Sequence, residues 1–258
     1  MIDTHSHTNK FYYPDIDNIL EKSKKSGVEK IIVPATSLED SLTNPQFIHP
    51  MLYYAIGSHP ELSKQIITRE QLESVYTENI IAIGECGLDY YRDNNKENQE
   101  KNFRVQIEYA LEKNLPLIVH TREALEDTLT ILSDYYKKGD TNKGVIHSAD
   151  GDISILEKIE DRGFYLSFNG ISTFKNADKI RNIIKNTDLS KILIETDSPF
   201  LTPEPIRNEK INNSSNIIYV LENIEKIKNT QAKEKIYQNS IALFKLNNEK
   251  YIWNTKKN

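Results

Sequence analysis

The sequence predicts an α/β fold, a (β/α)8 TIM barrel, on three observations. Short, continuously apolar runs recur along the 258 residues at regular spacing. Continuous hydrophobicity, as opposed to alternation, marks parallel strands that are covered on both faces. Amphipathic stretches separate the runs, as βα repetition requires. Five of the six histidines, with Glu85 and Asp197, come directly after such runs. The C-terminal ends of strands are where this barrel places its working side chains.

The elements follow in order. Met1-Ile2 is the first strand and opens into Asp3-Thr4-His5-Ser6-His7. Asp15 to Ser26 reads as a helix, with Ile16, Ile19 and Leu20 on one face and Gly27 as its stop. Ile31-Ile32-Val33 is the second strand, and the section from Thr36 to Pro50 is less regular. Leu52 to Ile56 and Ile80 to Ile83 are the third and fourth strands. Glu97 to Asn114 is helical, with Phe103, Ile107, Ala110 and Leu111 on one face. Leu117-Ile118-Val119 precedes a helix over Arg122 to Lys138, and Gly144-Val145-Ile146 precedes one over Asp152 to Arg162. Phe164 to Phe168 is followed by Asn176 to Asn186, and Ile192-Leu193-Ile194 completes the strands. The Thr202-Pro203-Glu204-Pro205 stretch is a long loop. From Ser214 onward the chain is helical and closes the ring, with Lys256 to Asn258 frayed.

No composition shift marks a boundary, so one domain over 1–258 is expected. The single cysteine, Cys86, forbids an intrachain disulfide and fits a reducing compartment. No run reaches the length of a membrane span. The early motif at Asp3 leaves no room for a signal peptide, so a cytoplasmic protein is expected. The formal charge of −5 argues against electrostatic capture of an extended duplex. A polyanionic substrate needs local positive charge, which bound cations can supply.

Imidazole plus carboxylate with almost no thiol is a ligand set for divalent metals. His5 and His7 are two apart, so a strand turns both to the same side, and Asp3 shares that parity and can orient a ligand. His49 stands before its strand and reads as structural. His59 follows a strand, but Pro60 caps a turn there, which favours a substrate contact over a ligand. Alternation turns Cys86 away from Glu85 into packing, and Tyr90 and Tyr91 read as helix–barrel packing residues.

Asp3-Thr4-His5-Ser6-His7, Gly84-Glu85-Cys86-Gly87-Leu88-Asp89-Tyr90, His120-Thr121-Arg122-Glu123 and Glu195-Thr196-Asp197-Ser198-Pro199 together resemble the TatD family of metal-dependent deoxyribonucleases, barrels of the metal-dependent hydrolase type. Gly163 to Phe174 and Asn239 to Phe244 are similar as well. The resemblance implies two divalent ions (Mg2+, Mn2+ or Zn2+). It implies His5, His7 and Asp197 on one, His120 and His147 on the other, and Glu85 as the bridge. His59 and Arg122 resemble the family's phosphate contacts. Two segments depart from the pattern. After His147 the family usually continues Cys-Phe-Ser/Thr-Gly, whereas here Ser148-Ala149-Asp150-Gly151 follows. Beyond Pro205 this chain keeps Arg207 but has Ile211-Asn212-Asn213-Ser214 where an Asn-x-Pro is common.

The expected activity is phosphodiester hydrolysis, with single-stranded DNA ends as substrate and no obligate protein partner. Paired cations about 3.5–4 Å apart clamp the attacking and leaving oxygens of such a displacement. Asp197 is the expected general base, with Glu85 beside it, and Arg122 would meet the developing phosphate charge. The alternative is a binuclear metal hydrolase of another small ester, amide or phosphoester. A non-catalytic barrel is a third reading, disfavoured by the completeness of the ligand set.

Overall fold

The computed structural model describes residues 1–92 and 95–246. Eight parallel strands run in sequence order around one sheet: β1 (Ile2–Asp3), β2 (Lys30–Val33), β3 (Leu52–Ile56), β4 (Ile80–Asp89), β5 (Leu117–Arg122), β6 (Gly144–Ile146), β7 (Phe164–Phe168) and β8 (Ile192–Ile194). The seam between β8 and β1 is closed by the segments just beyond them. Thr4 N–H donates to Ile194 O at 3.1 Å, Asp197 N–H to His5 O at 2.9 Å and His7 N–H to Ser198 O at 2.8 Å. The predicted barrel is therefore the fold.

Around it lie α1 (Ile16–Lys25), α2 (Leu38–Thr43), α3 (Arg69–Val75), α4 (Lys96–Lys113), α5 (Leu125–Tyr135), α6 (Ile153–Glu160), α7 (Asp178–Asn186), α8 (Ile217–Lys228) and α9 (Lys233–Phe244). The irregular section after β2 contains α2 and a short 3₁₀ turn at Asn44–Gln46. The short helix α3 was not predicted. It buries only Leu72, too little apolar periodicity to read, but it carries a capping box between Thr68 and Gln71. The predicted frayed end at Lys256 to Asn258 lies outside the described residues.

Two apolar layers divide the strand residues. Outward side chains such as Ile31, Leu52, Cys86 and Val119 pack under the helices. Inward ones, among them Ile32, Tyr53, Ile118 and Leu193, fill the barrel, where Ile241, Phe244 and Leu246 join them. Asn239 of α9 donates to Leu189 O and Ile192 O, both at 2.9 Å, holding the entry to β8.

Helix α4 corrects one expectation. Leu111 is 43% exposed, and the buried face instead carries Gln99, Asn102 and Gln106 beside Phe103 and Ile107. Each amide grips a loop at the barrel mouth. Gln106 accepts from Ser58 N–H at 2.8 Å and donates to Ser58 O at 3.1 Å. Gln99 accepts from Asp89 N–H at 2.7 Å and donates to Asp89 O at 2.9 Å. Asn102 accepts from Ile67 N–H at 2.7 Å and donates to Gln65 O at 3.1 Å.

Candidate metal centre

The seam that closes the barrel also builds one side of the site. β1 ends at Asp3, so His5 and His7 sit on the segment beyond it, with a single bridge from Ser6 to Ser198. Their Nε2 atoms nevertheless converge. His5 Nε2 is 3.8 Å and His7 Nε2 is 3.4 Å from Asp197 Oδ1. Asp197 adopts φ +52°, a left-handed backbone uncommon outside glycine, asparagine and aspartate.

Glu85 supplies the middle of the site. β4 runs on past the predicted end at Ile83, with a register shift before Cys86 that sets the orientation of the Glu85 segment. Its Oε2 lies 3.4 Å from His5 Nε2 and 4.0 Å from His7 Nε2. Its Oε1 lies 3.0 Å from His120 Nδ1, 3.5 Å from His59 Nε2 and 3.8 Å from His147 Nε2. The two carboxylate oxygens thus face two different donor sets. Gly87 makes the close pairing with β5 possible, since a Cβ there would lie 2.0 Å from His120 O.

Among the described residues, three overlapping groups bring ligand atoms within 4.8 Å of one another: His5, His7 and Asp197; His5, Glu85 and His147; and His59, Glu85 and His120. Four ligands about 2.0–2.1 Å from a cation form a tetrahedron with edges of about 3.3–3.4 Å. Of the four distances given around His5, His7, Glu85 and Asp197, two at 3.4 Å match that spacing and two, 3.8 and 4.0 Å, are longer. Both ring nitrogens of His5 are buried with no hydrogen-bond partner. Such an orphaned nitrogen between two carboxylates is what a bound cation satisfies. The residues fit a divalent metal.

Neighbouring carboxylates decide which nitrogen each ring turns inward. Glu195 Oε1 is 2.8 Å from His147 Nδ1, and the ring turns Nε2 toward Glu85 Oε1 at 3.8 Å. Asp89 Oδ2 is 3.0 Å from His120 Nε2, which leaves Nδ1 inward. His59 differs: its Nδ1 accepts Glu61 N–H at 3.2 Å, and its Nε2 faces Glu85 Oε1 at 3.5 Å. Asp89 and Glu195 stand inside the sequence motifs, where nothing local marks them as partners of His120 and His147. Asp3 reaches the ligand segments through the backbone, accepting His5 N–H at 3.4 Å. Asp3 accepts Thr196 N–H at 2.9 Å and Thr196 Oγ1–H at 2.6 Å, bracing the backbone beside Asp197.

Charge follows the same geometry. Burial pushes the Glu85 carboxyl up, but His5, His59 and His120 outweigh it and hold it well below the ordinary range. Asp197 is also lowered; burial opposes this, and His7, His147 and His5 outweigh it. Burial and the neighbouring His147 lower His5, keeping its ring neutral. Burial lowers His147, yet Glu195, Asp197 and Glu85 lift it to about 10. The pocket is an array of buried carboxylates partnered by imidazoles, suited to take up positive charge.

Comparison with known proteins then decides the family. The family model described as "TatD related DNase" matches residues 2–245. This chain belongs to the TatD family. It is 36% identical to an uncharacterised metal-dependent hydrolase, YabD, of Bacillus subtilis (strain 168), over 96% of this chain and 100% of that protein. It is 29% identical to the 3′-5′ ssDNA/RNA exonuclease TatD of Escherichia fergusonii, over 77% of this chain and 78% of that one. The crystal structure of YJJV, a TatD homologue from Escherichia coli K12, superposes with a TM-score of 0.84 at 27% identity, covering 95% of this chain and 98% of that one. The chain is thus a metal-dependent hydrolase of the TatD type.

The two departures from the TatD pattern have physical accounts. Asp150 turns outward and pairs with Lys179 on α7 at 3.0 Å, and Ala149 is buried. Ser148 donates its N–H to Glu195 Oε1 at 2.8 Å and accepts from Asn169 Nδ2 at 2.9 Å. That segment therefore steadies Glu195 and adds no charge to the site. Asn212 is fully buried and donates to Thr196 O and Phe200 O at 3.2 and 2.8 Å, fixing the loop that carries Asp197. Arg207 lies 3.8 Å over the Phe174 ring.

Arg122 ends β5 on the exposed rim, its guanidinium 3.8 Å from the Tyr91 ring centroid. Tyr91 is 61% exposed, against the packing expectation, whereas Tyr90 packs against the core and donates to Asp127 Oδ2 at 2.8 Å. Cys86 is buried among the outward strand residues, as alternation predicts. His49 caps its own turn, accepting Met51 N–H at 3.2 Å.

Proposed function

We propose that this TatD-family chain hydrolyses phosphodiester bonds at single-stranded DNA ends, as one barrel unit over 1–258, in the cytoplasm. One observation carries the reading. Glu85 presents one oxygen to His5 and His7 and the other to His120, His59 and His147, the arrangement of a bridging carboxylate. His5, His7, Glu85 and Asp197 would hold one divalent ion, and Glu85, His120 and His147 a second; Mg2+, Mn2+ and Zn2+ all accept such donors. When bound, two such ions stabilise charge on the attacking and leaving oxygens of an in-line displacement.

The remaining steps belong to side chains. Asp197, kept ionised by its histidines, takes the proton of the attacking water. His59 offers Nε2–H to a non-bridging phosphate oxygen. Arg122, on the rim, is placed to meet a neighbouring phosphate with its planar fork. A wall of donors for anionic oxygens favours phosphate over a neutral amide. The name of the Escherichia fergusonii relative supports the same substrate and strandedness.

The test is incubation of metal-reconstituted protein with end-labelled single- and double-stranded DNA. Shortening of single strands, lost on chelation and reduced at least about 100-fold in Asp197→Asn and Glu85→Gln, is expected. Turnover of aminoacyl or small-ester substrates with intact oligonucleotides would give the alternative hydrolase reading instead.

A further inference from the structure

Phe11 and Phe200 are 84% and 49% exposed, although each belongs to a loop that carries a metal-type residue. Phe11 and its neighbour Tyr12 follow His7, and Phe200 follows Asp197. The three rings touch. Phe11 and Tyr12 meet edge-on at 4.9 Å, and Tyr12 and Phe200 at 5.8 Å. Tyr12 and Phe200 lie 6.3 and 6.2 Å from the His7 ring. A lone exposed aromatic needs no explanation, but a contiguous set beside a buried metal-type site does.

Polar clamps hold these rings in place. Asn9 Oδ1 accepts the N–H groups of Phe11 and Tyr12 at 3.1 and 3.2 Å. Phe200 N–H donates to Asp197 O at 3.0 Å, and Asn212 Nδ2 donates to Phe200 O at 2.8 Å. Tyr13 ties the two loops together by donating to Asn212 O at 2.6 Å. The ledge is preorganised on both sides of the barrel seam.

A groove of about 560 Å³ runs from His7 past Tyr12 to Phe47, within the usual size of a ligand site. Glu39 and Asp40 outnumber Lys10 in its lining, so the groove disfavours phosphate relative to a neutral, flat group. Tyr91, 61% exposed, carries the Arg122 guanidinium on one face at 3.8 Å. The Phe11–Tyr12–Phe200 ledge is an open stacking surface next to the site.

We propose that Phe11, Tyr12 and Phe200 form a stacking subsite for the nucleobase attached next to the phosphate held at the Glu85 centre. The inference rests on the phosphodiesterase reading above. Stacking is tolerant of base identity, since every base has a π-face, so the subsite grips a single strand without reading its sequence. A duplex keeps its bases stacked on each other and cannot use the ledge, which gives a physical source for single-strand preference.

The test compares a normal single-stranded oligonucleotide with one that is abasic at the nucleotide cleaved, on wild type and on Phe11→Ala/Phe200→Ala. Both positions are exposed, and circular dichroism checks the fold. Base removal on wild type is expected to raise KM roughly 5- to 150-fold, and ring removal to do the same for the normal strand. The two losses should fail to add, because they delete the same contact. A hydrolysis-resistant phosphorothioate strand with terminal 2-aminopurine should be quenched by wild type and less by the variant. Equal KM for normal and abasic strands, additive losses, or quenching unchanged in the variant overturns the subsite while leaving the nuclease reading intact. Failure to cut any oligonucleotide with any divalent metal defeats the nuclease reading, and the subsite with it.

Discussion

Glu195 Oε1 lies 2.8 Å from His147 Nδ1, and both groups are buried. The same oxygen accepts Ser148 N–H at 2.8 Å and Asn169 Nδ2–H at 3.2 Å. Glu195 is therefore fixed from three directions, and His147 inherits its orientation. Asp89 treats His120 in the same way from a different strand.

The expected consequence is loss of metal affinity without loss of a ligand. Glu195→Gln and Asp89→Asn should each weaken metal binding about 10- to 100-fold, as removal of an outer carboxylate does at histidine sites. Chelator competition measures it directly. Affinity unchanged in both variants would mean that His147 and His120 are not ligands.

The proposed role of His59 as a phosphate donor is separable from metal binding by substitution. Asn in its place can still accept Glu61 N–H through Oδ1 while losing the Nε2 donor. His59→Asn should therefore retain metal affinity. It should lower kcat/KM on oligonucleotides by roughly 10- to 150-fold, the worth of a hydrogen bond to a charged group. A parallel fall in metal affinity would instead make His59 a ligand of the second ion.

The glutamines of α4 act at a distance from the chemistry. Gln106 satisfies both backbone groups of Ser58, next to His59, and Gln99 both backbone groups of Asp89. Alanine at either leaves two buried backbone groups without partners. Each variant should lose about 2–4 kcal/mol in urea unfolding. Gln99→Ala should also weaken metal binding through Asp89 and His120, whereas Gln106→Ala should act on KM through His59.

The barrel was legible because its strands are buried on both faces: Leu52–Ile56, Gly144–Ile146 and Ile192–Ile194 carry their boundaries in unbroken apolar runs, and Phe164–Phe168 is broken only by Ser167. β4 was read short because Gly84 and Glu85 interrupt its apolar run while its pairing continues to Asp89. The residues that hold the centre from outside were harder to read. Gln99 and Gln106 sit at helical spacing where an apolar residue is expected, and nothing local reveals which backbone they reach. The partner of His59 Nδ1 likewise depends on the turn that follows it, not on its place after β3. Glu195 had one available signal, an acidic residue two before Asp197 at a strand end.

A group remote from the site gives a pH test of the fold. Glu160 ends α6 with Oε1 buried and unpartnered. Burial raises its carboxyl to about 7; Lys191 opposes this, and Glu157, Asp188 and Asp161 add to it. Between its unfolded value of about 4.3 and that folded value, the native state binds more protons than the unfolded chain. Stability contributed by this group is therefore greatest at acid pH and is lost as pH rises toward 7. Glu160→Gln removes the ionisation and should raise stability at pH 8 by about 1–2 kcal/mol, discounted for the solvent that still reaches the carboxyl. At pH 4 the gain should vanish. Urea unfolding of wild type and variant at both pH values measures the difference, and an equal gain at pH 4 and pH 8 would show that the effect is packing and not charge.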